Sequence, residues 1–439
     1  MAGARPPAGA LRASGTRVAA RLTTPVTYLA VLGGLEVLLL WILHGHFGFW
    51  LPLACSAGLI ALLVLLTTTR DRWRLKLLAI SGLGGLTAIG PTLAGIIERP
   101  SIGLTMEHDG LLQLESAVDR LIQGQPIYGV DWSNTPMASV GWHLTPGQNP
   151  ALHHLAYYPL TVLVGVPFRL LTGALHLPFD YRLVLISFAL LGLMAIAALP
   201  IPAERRFIII TAIYVSPLIT LYLWSGRNDI EFLAVVFLAL VLLTRRHPIL
   251  AAGALGVAVA LKPFAVMAVP FLLLVLALRW RANRSSRELA VGVFALGAVP
   301  AATILPFLLA NPGAFWTDVV LYASGGVSDA YPIAGYGFGE ILYALHVIGQ
   351  RTDSFPFAIF QVVVMAPVLF IAGRAFAQRP TLARWMAGYA LLLLAFTFFA
   401  RFFNDSYAAV VVTLLLCALP LGPLRLAPAA LGRAERLAA

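Results

Sequence analysis

The residues of this chain best suited to proton transfer stand together as Glu107-His108-Asp109, where a long apolar run gives way to a polar stretch. A carboxylate held beside an attacking hydroxyl takes its proton as a general base. The competing structural role is a helix cap, in which Asp satisfies free N–H groups at the start of the following helix. Cations suited to a phosphate are Lys262, Arg227 and Arg401, each beside or inside an apolar segment. A charge there is expensive, about 2.5–3.5 kcal/mol at a bilayer centre on insertion scales, so it asks for a function. Arg binds phosphate through a planar fork and Lys as a point charge. Plainer roles compete: Arg227 can pair with Asp229 or Glu231, and Arg401 can snorkel to headgroups. Asn404-Asp405-Ser406-Tyr407 follows Arg401 and suits either a polar pocket lining or the cap of the last helix. His346 is a further phosphate or substrate contact, or simply solvated. His143, His153 and His154 lack a tight metal-ligand spacing, and Glu107 with His108 makes only a weak set. No obligatory metal and no cofactor are expected.

The elements that must position these groups are membrane helices. The chain is 60% hydrophobic and 11% charged over 439 residues. Soluble domains average about 45–50% and about 25%, so a soluble enzyme and a disordered chain are both excluded. The apolar residues fall in blocks of membrane-spanning length, near 27–45, 48–67, 76–97, 158–176, 182–200, 206–224, 228–244, 248–279, 288–309, 355–377, 384–403 and 406–424. Cys55 and Cys417 lie inside such blocks, which argues against a disulfide framework. The net charge of +11 reflects basic loops on one membrane face better than nucleic-acid binding, and no nucleic acid is expected as a partner. Of the 30 basic residues only Lys76 and Lys262 are lysine. That bias, with abundant Ala, Gly and Pro, suggests a high-GC bacterial genome and hence the bacterial cytoplasmic membrane. Arg5, Arg12, Arg17 and Arg21 precede a first apolar run without an A-x-A-like end, which reads as a retained span rather than a cleaved signal.

Loop charge sets the expected topology. The N-terminus, the turn 68–76 and five later basic turns all become cytoplasmic if two conditions hold. Segment 158–176 must be re-entrant or interfacial, and 248–279 must be a hairpin breaking outward at Lys262–Pro263, where Pro disfavours helical geometry in its predecessor. This places 22 of the 30 basic residues inside and 14 of the 19 acidic residues outside. The expected fold is an all-α polytopic bundle of about 12 transmembrane helices with both ends inside. It divides into a tail at 1–26, a membrane domain at 27–424 and a tail at 425–439. The alternative makes 158–176 a true span and 248–279 one tilted helix, at the cost of moving Arg205, Arg206, Arg245 and Arg246 outside. Two long outer loops, 98–157 and 310–354, carry most of the candidate chemistry. In the first, Leu111, Leu112, Leu114, Val118, Leu121 and Ile122 recur at helical spacing, as in an amphipathic helix at the membrane face. The second is rich in aromatic residues and glycine, as a mobile lid would be.

Taken in order, the motifs resemble a known family. An acidic residue after an early span, then an amphipathic helix ending Gly124-Gln125-Pro126-Ile127-Tyr128, resembles the first outer loop of the glycosyltransferase family 87 membrane mannosyltransferases, of the GT-C superfamily. Tyr157-Tyr158-Pro159-Leu160, followed by Pro167, is similar to the aromatic-proline start of that family's next segment. Gly226-Arg227-Asn228-Asp229 resembles its Gly-Gln-x-Asp motif, with Arg in place of Gln. Arg245-Arg246, Ala252-Gly253 and Ala260-Leu261-Lys262-Pro263 resemble its Ala-Gly…Leu-Lys-Pro helix pair. The resemblance covers about 76–290, and the last third matches less well. It implies a GT-C-like bundle and an inverting transfer of a sugar, mannose by default, from a polyprenyl phosphate to a glycolipid or glycan hydroxyl on the outer face. The family's catalytic aspartate falls on Asp109, with Glu107 as local competitor. Lys262, Arg227, Arg401 and His346 would hold the donor phosphate. His108, Tyr128, Tyr158, Asn228, Asp229, Asn404, Asp405 and Tyr407 would line the substrate site. A lipid carrier suits an outward-facing site, because it brings the sugar in along the membrane. The rival reading is a twelve-span secondary transporter or a lipid-linked glycan flippase. Such a protein should show related halves and a polar site near the midplane, whereas here the polar residues gather at one face. A glycan ligase or polymerase shares the lipid-phosphate substrate, but the ordered first-loop and Leu-Lys-Pro motifs argue against it.

Overall fold

The structure, a computed structural model, describes residues 24–104 and 106–428. The arginines at 5, 12, 17, 21, 433 and 436, with Glu435, lie outside the described residues, so the expected tails are described only at 24–26 and 425–428.

Each expected apolar run is helical. In chain order the elements are α1 Pro25–Ile42, α2 Trp50–Thr68 and α3 Trp73–Ser101; α4 Asp109–Ile122; α5 Pro159–Ala174 and α6 Arg182–Ala198; α7 Ala203–Tyr214 and α8 Pro217–Trp224, bent by 44°; α9 Asp229–Thr244; α10 Pro248–Leu261, α11 Pro263–Asn283 and α12 Ser286–Ala310. The two-residue strand β1 Ala334–Gly335 and helix α13 Phe338–Ala344 follow in the second loop. Then come α14 Phe357–Gln378, α15 Leu382–Phe398, β2 Phe402–Phe403 and α16 Asp405–Leu421. The molecule is an all-helical polytopic membrane protein, with one two-stranded sheet among the described residues.

Among the described residues six helices are long and apolar enough to cross a membrane, namely α1, α2, α3, α11, α12 and α14; the α7–α8 pair makes a seventh if it is one span. Helices α5, α6, α10, α15 and α16 are apolar but shorter, at 10–17 residues. At about 1.5 Å per residue they fall short of the roughly 30 Å hydrocarbon core. Length alone therefore supports six or seven crossings where twelve runs were expected. The short helices α10, α15 and α16 bury more than half of their residues, whereas the long α12 and α14 bury almost none. Buried residues cover α9 nearly throughout, as expected of a helix apolar on all sides, whereas the most apolar stretch of α12 is 0% buried within the protein.

Three boundaries bear on the site. Helix α3 continues past residue 97, where the first loop was expected to begin, and carries Glu98 and Arg99 on its last turns. Helix α10 stops at Leu261, and Lys262 is extended at φ −151°, ψ 132°, the break that Pro263 predicts. The amphipathic helix forms as α4, but Leu111, Leu112 and Leu114 are 0–1% exposed in the protein alone. Its apolar face is therefore covered by protein rather than laid on lipid.

The second loop is tied down. Strand β1 pairs in parallel with β2, Ala334 opposite Phe402 and Gly335 opposite Phe403. Arg401, 2% exposed, donates to the carbonyls of Tyr331, Asp353 and Arg351 at 2.5, 2.7 and 3.0 Å. The lid expected from its composition is thus fastened along the 331–353 stretch.

Candidate active site

Asp109 is the first residue of α4. Its Oδ1 accepts from the Gly110 N–H at 2.7 Å and its Oδ2 from Asn149 Nδ2 at 2.7 Å. His108 Nδ1 lies 2.8 Å from Asp109 Oδ1 and 3.0 Å from the Gly110 N, so that one nitrogen serves either as donor to the carboxylate or as acceptor from the N–H. Burial pushes the Asp109 carboxyl up. The neighbouring His108 and the hydrogen bonds from His108, Asn149 and Gly110 outweigh it and hold the group well below the usual carboxylate range. The N-cap position of α4 falls on His108, one residue before the expected Asp109, which stands at the first helical position with its carboxylate on the next N–H; that local role does not exclude the chemical one.

Glu107 stands differently. Its side chain is 2% exposed and ion-pairs with Arg182 at 3.2 Å, and Oε2 accepts from the Met106 N–H at 3.0 Å. Arg182 also binds Asp180 at 2.7 Å. Asp180 meets Arg99 at 2.9 Å, and Arg99 grips Glu115 through both carboxylate oxygens at 2.8 and 2.7 Å. Glu107 is thus one carboxylate of a buried ion network joining α3, α4 and α6.

This network and two backbone contacts dock the Glu107–Asp109 corner onto the turn between α8 and α9. Arg182 Nη1 donates to Trp224 O at 3.2 Å, and the His108 N–H donates to Ser225 O at 2.8 Å. Gly226 has φ +86°, and a Cβ there would meet three Leu111 side-chain carbons at 2.7–2.8 Å. Both the left-handed backbone and the contact require glycine. Gly226→Ala is expected to destabilise the protein by about 1–3 kcal/mol and to lower its unfolding temperature in detergent; an unchanged temperature would contradict this packing.

The same turn carries Arg227, Asn228 and Asp229. Arg227 Nη1 binds Asp405 Oδ1 at 2.7 Å, and its guanidinium lies 4.9 Å from the Tyr222 ring centroid. Lys262 Nζ contacts Asp229 Oδ1 at 2.5 Å and Asn228 Oδ1 at 3.2 Å. Asn228 Nδ2 reaches Glu231 at 3.4 Å, and Glu231 takes the Tyr181 hydroxyl at 2.8 Å. The Phe264 and Tyr407 rings meet edge to face at 4.6 Å beside Lys262.

Tyr157 joins the halves. Its hydroxyl packs on Gly110, where a Cβ would collide with it. Burial pushes its phenol up, the Asp109, Asp229 and Glu231 carboxylates raise it further, and Arg227 opposes them. Asp109 and the Arg227–Asp229 turn therefore face one tyrosine. Asn404 and Asp405 close the cluster. Burial raises the Tyr331 phenol, which also hydrogen-bonds Asn404 and senses Asp109, Arg227 and Asp405.

The structure thus gathers Asp109, His108, Arg227, Asn228, Asp229, Lys262, Asn404, Asp405 and Tyr407. Tyr128 is an anchor of the first loop: its hydroxyl donates to Tyr157 O at 2.8 Å, and its ring meets Phe315 at 5.0 Å. Tyr158 caps the start of α5 by its backbone. The guanidinium of Arg401 is spent on three carbonyls of the second loop. His346 is exposed, left-handed at φ 57°, and makes no side-chain hydrogen bond or ion pair among the described residues.

Sequence reasoning missed Asn149, Arg182 and His154. Asn149 and Arg182 carry no motif. His154, read as an unpatterned histidine, is buried between Asp318 Oδ1 at 2.9 Å and Asp329 Oδ2 at 3.0 Å and stacks on Tyr322 at 4.6 Å. It ties the first outer loop to the second. Burial lowers its pKa, but the two carboxylates raise it by more.

A model of glycosyltransferase family 87 matches residues 155–400. No curated protein and no solved structure matches the chain. The matched range begins after Asp109 and Asn149, takes in Tyr157, the Arg227–Asp229 turn and Lys262, and runs through the last third, where the motifs are weak. Since it covers more than half of the sequence, the chain belongs to glycosyltransferase family 87.

Proposed function

We propose that this glycosyltransferase moves a sugar, mannose by default, from a polyprenyl phosphate to a hydroxyl of a glycolipid or cell-envelope glycan. The reaction takes place on the outer face of the bacterial cytoplasmic membrane, within a bundle whose twelve apolar runs all pack as one domain. The observation that carries the reading is the docking of ionised Asp109 against the Arg227–Asp229 turn through His108 N–H and Ser225 O. Asp109 removes the acceptor hydroxyl proton as that oxygen attacks the anomeric carbon. The carbon–phosphate oxygen bond breaks on the opposite side, with inversion, and its electron pair leaves on the lipid phosphate. Arg227 stabilises that phosphate, because its present partner Asp405 has a half-exposed side chain that an incoming anion can displace. Lys262 is already neutralised by Asp229 at 2.5 Å. Arg401 acts through the loop it fastens. No metal or cofactor enters these steps.

The test is transfer of label from radiolabelled polyprenyl-phosphate-mannose to a membrane glycolipid extract by the purified protein in lipid. Transfer supports the reading. Its absence with mannose and with other lipid-linked sugars overturns it.

Asn149 tunes the base. Its hydrogen bond favours the ionised form of Asp109, so losing it raises the pKa. The base is active above its pKa, and Asn149→Ala is therefore expected to move the acid limb of the kcat/KM profile to higher pH. A profile that keeps its acid limb would show that Asn149 does not act on Asp109.

A further inference from the structure

One buried carboxylate oxygen in the site has no donor among the described residues. Asp229 is 2% exposed; Oδ1 takes Lys262, and Oδ2 accepts no hydrogen bond among the described residues. Buried polar atoms in native proteins almost always have partners, so an orphan beside other site residues points to an absent ligand. Lys262 has three N–H groups, and two face Asp229 and Asn228. Its side chain is 16% exposed against 3% for Asp229, so the pair is approached past the ammonium. The walls there are aromatic: Lys262 Nζ lies 5.1 Å from the Phe264 ring centroid and 6.0 Å from that of Tyr407.

The charge of this pair selects its ligand. An ammonium matched at 2.5 Å by a carboxylate is neutral as a unit, and Asp229 would repel a phosphate brought to it. A neutral polyol suits the pair, because it offers a donor to Asp229 and an acceptor to Lys262. We propose that Asp229 and Lys262 read two neighbouring hydroxyls of a pyranose: Asp229 Oδ2 accepts one O–H, the third Lys262 N–H donates to the next oxygen, and the Phe264 and Tyr407 rings pack on the sugar's C–H face. This rests on the transfer reading above and names a subsite within it. The sugar belongs to the donor or to the acceptor, and the chemistry is the same for both.

The test measures binding and transfer separately, using donors and acceptors that each lack one sugar hydroxyl. In the wild type, one deoxy position on one substrate is expected to weaken binding by about 100-fold or more, because a site built for a hydroxyl strongly rejects its absence. In Asp229→Asn the amide keeps its oxygen on Lys262 and presents NH2 where Oδ2 was. The penalty at that position should then fall to within about threefold. Deoxy donors and deoxy acceptors reveal which substrate is read. Lys262→Arg, which keeps the charge, should relax the neighbouring hydroxyl and serves if Asp229→Asn does not fold. Transfer without a selective hydroxyl in the wild type, or with an unchanged penalty in the variants, overturns the subsite and leaves the enzyme reading intact. Hydroxyl-selective, Asp229-dependent binding without transfer does the reverse.

Discussion

Asp109→Asn is expected to slow sugar transfer by about 100-fold or more, within the range for losing a general base, while donor affinity and unfolding temperature hold. The substitution separates the two roles of this residue. Asn caps a helix as well as Asp does, so a group that only capped α4 would survive the change with full activity. The corner has a second acceptor for the Gly110 N–H, since His108 Nδ1 lies 3.0 Å from the Gly110 N and is free to take it once no carboxylate holds its proton. The amide oxygen of the introduced side chain can still take the hydrogen bond from Asn149. What is lost is the charged oxygen that receives the proton. Radiolabel transfer by the reconstituted variant decides the matter: full activity would reduce Asp109 to a cap. Glu107→Gln is the matched comparison: Glu107 is held by Arg182 with its side chain 2% exposed, so its effect should appear as lost stability, and in transfer only through the placement of Asp109.

Much of this site was legible in the sequence because it is built from local signals. The Lys262–Pro263 break follows from proline sterics. The start of α4 follows from a polar triplet before a helical apolar stripe. The Gly226–Asp229 turn is recognisable by its motif, and the structure adds why its glycine is needed. Membership in a sugar-transferring family also displaces the transporter and flippase readings. What escaped was every relation carried by distant contacts. Asn149 lies 40 residues from Asp109, and His154 lies 164 from Asp318. No periodicity reports such pairs. Arg401 illustrates the opposite failure: an arginine at a membrane edge suggested an anion, but parallel pairing of β1 with β2 puts it under a loop whose carbonyls need donors. The twelve apolar runs also outnumber the six or seven crossings that length and composition single out among the described residues. Hydropathy registers apolar runs of any length, but inner helices packed on other helices can be as short as 10–17 residues and still be apolar.

The second large effect is expected from a residue outside any motif. Arg182→Met should cost about 3–5 kcal/mol of stability, the usual result of removing one partner from a buried ion pair. Arg182 is 2% exposed, and it faces Asp180 at 2.7 Å and Glu107 at 3.2 Å, with side-chain exposures of 4% and 2%. Without it Asp180 leans on Arg99, which already grips Glu115 with both nitrogens and reaches Asp180 from one, and Glu107 loses its ion pair with Arg182. Arg182→Lys keeps the charge but not the fork that also reaches Trp224 O, so it should recover part of the loss. The network also holds the base, because Glu107 is two residues from Asp109. A destabilised Glu107 lets the corner move off the Ser225 carbonyl, so transfer by surviving Arg182→Lys protein should fall in kcat more than it rises in KM. If the cost is purely electrostatic, adding Glu107→Gln and Asp180→Asn to Arg182→Met removes the uncompensated charges and restores much of the unfolding temperature. Transfer should not return with it, since neither amide rebuilds the contact that holds residues 107–109 against the Trp224–Ser225 turn. Recovery of stability without activity would show that the ion network is there to place the aspartate; recovery of both would show that it serves the fold alone.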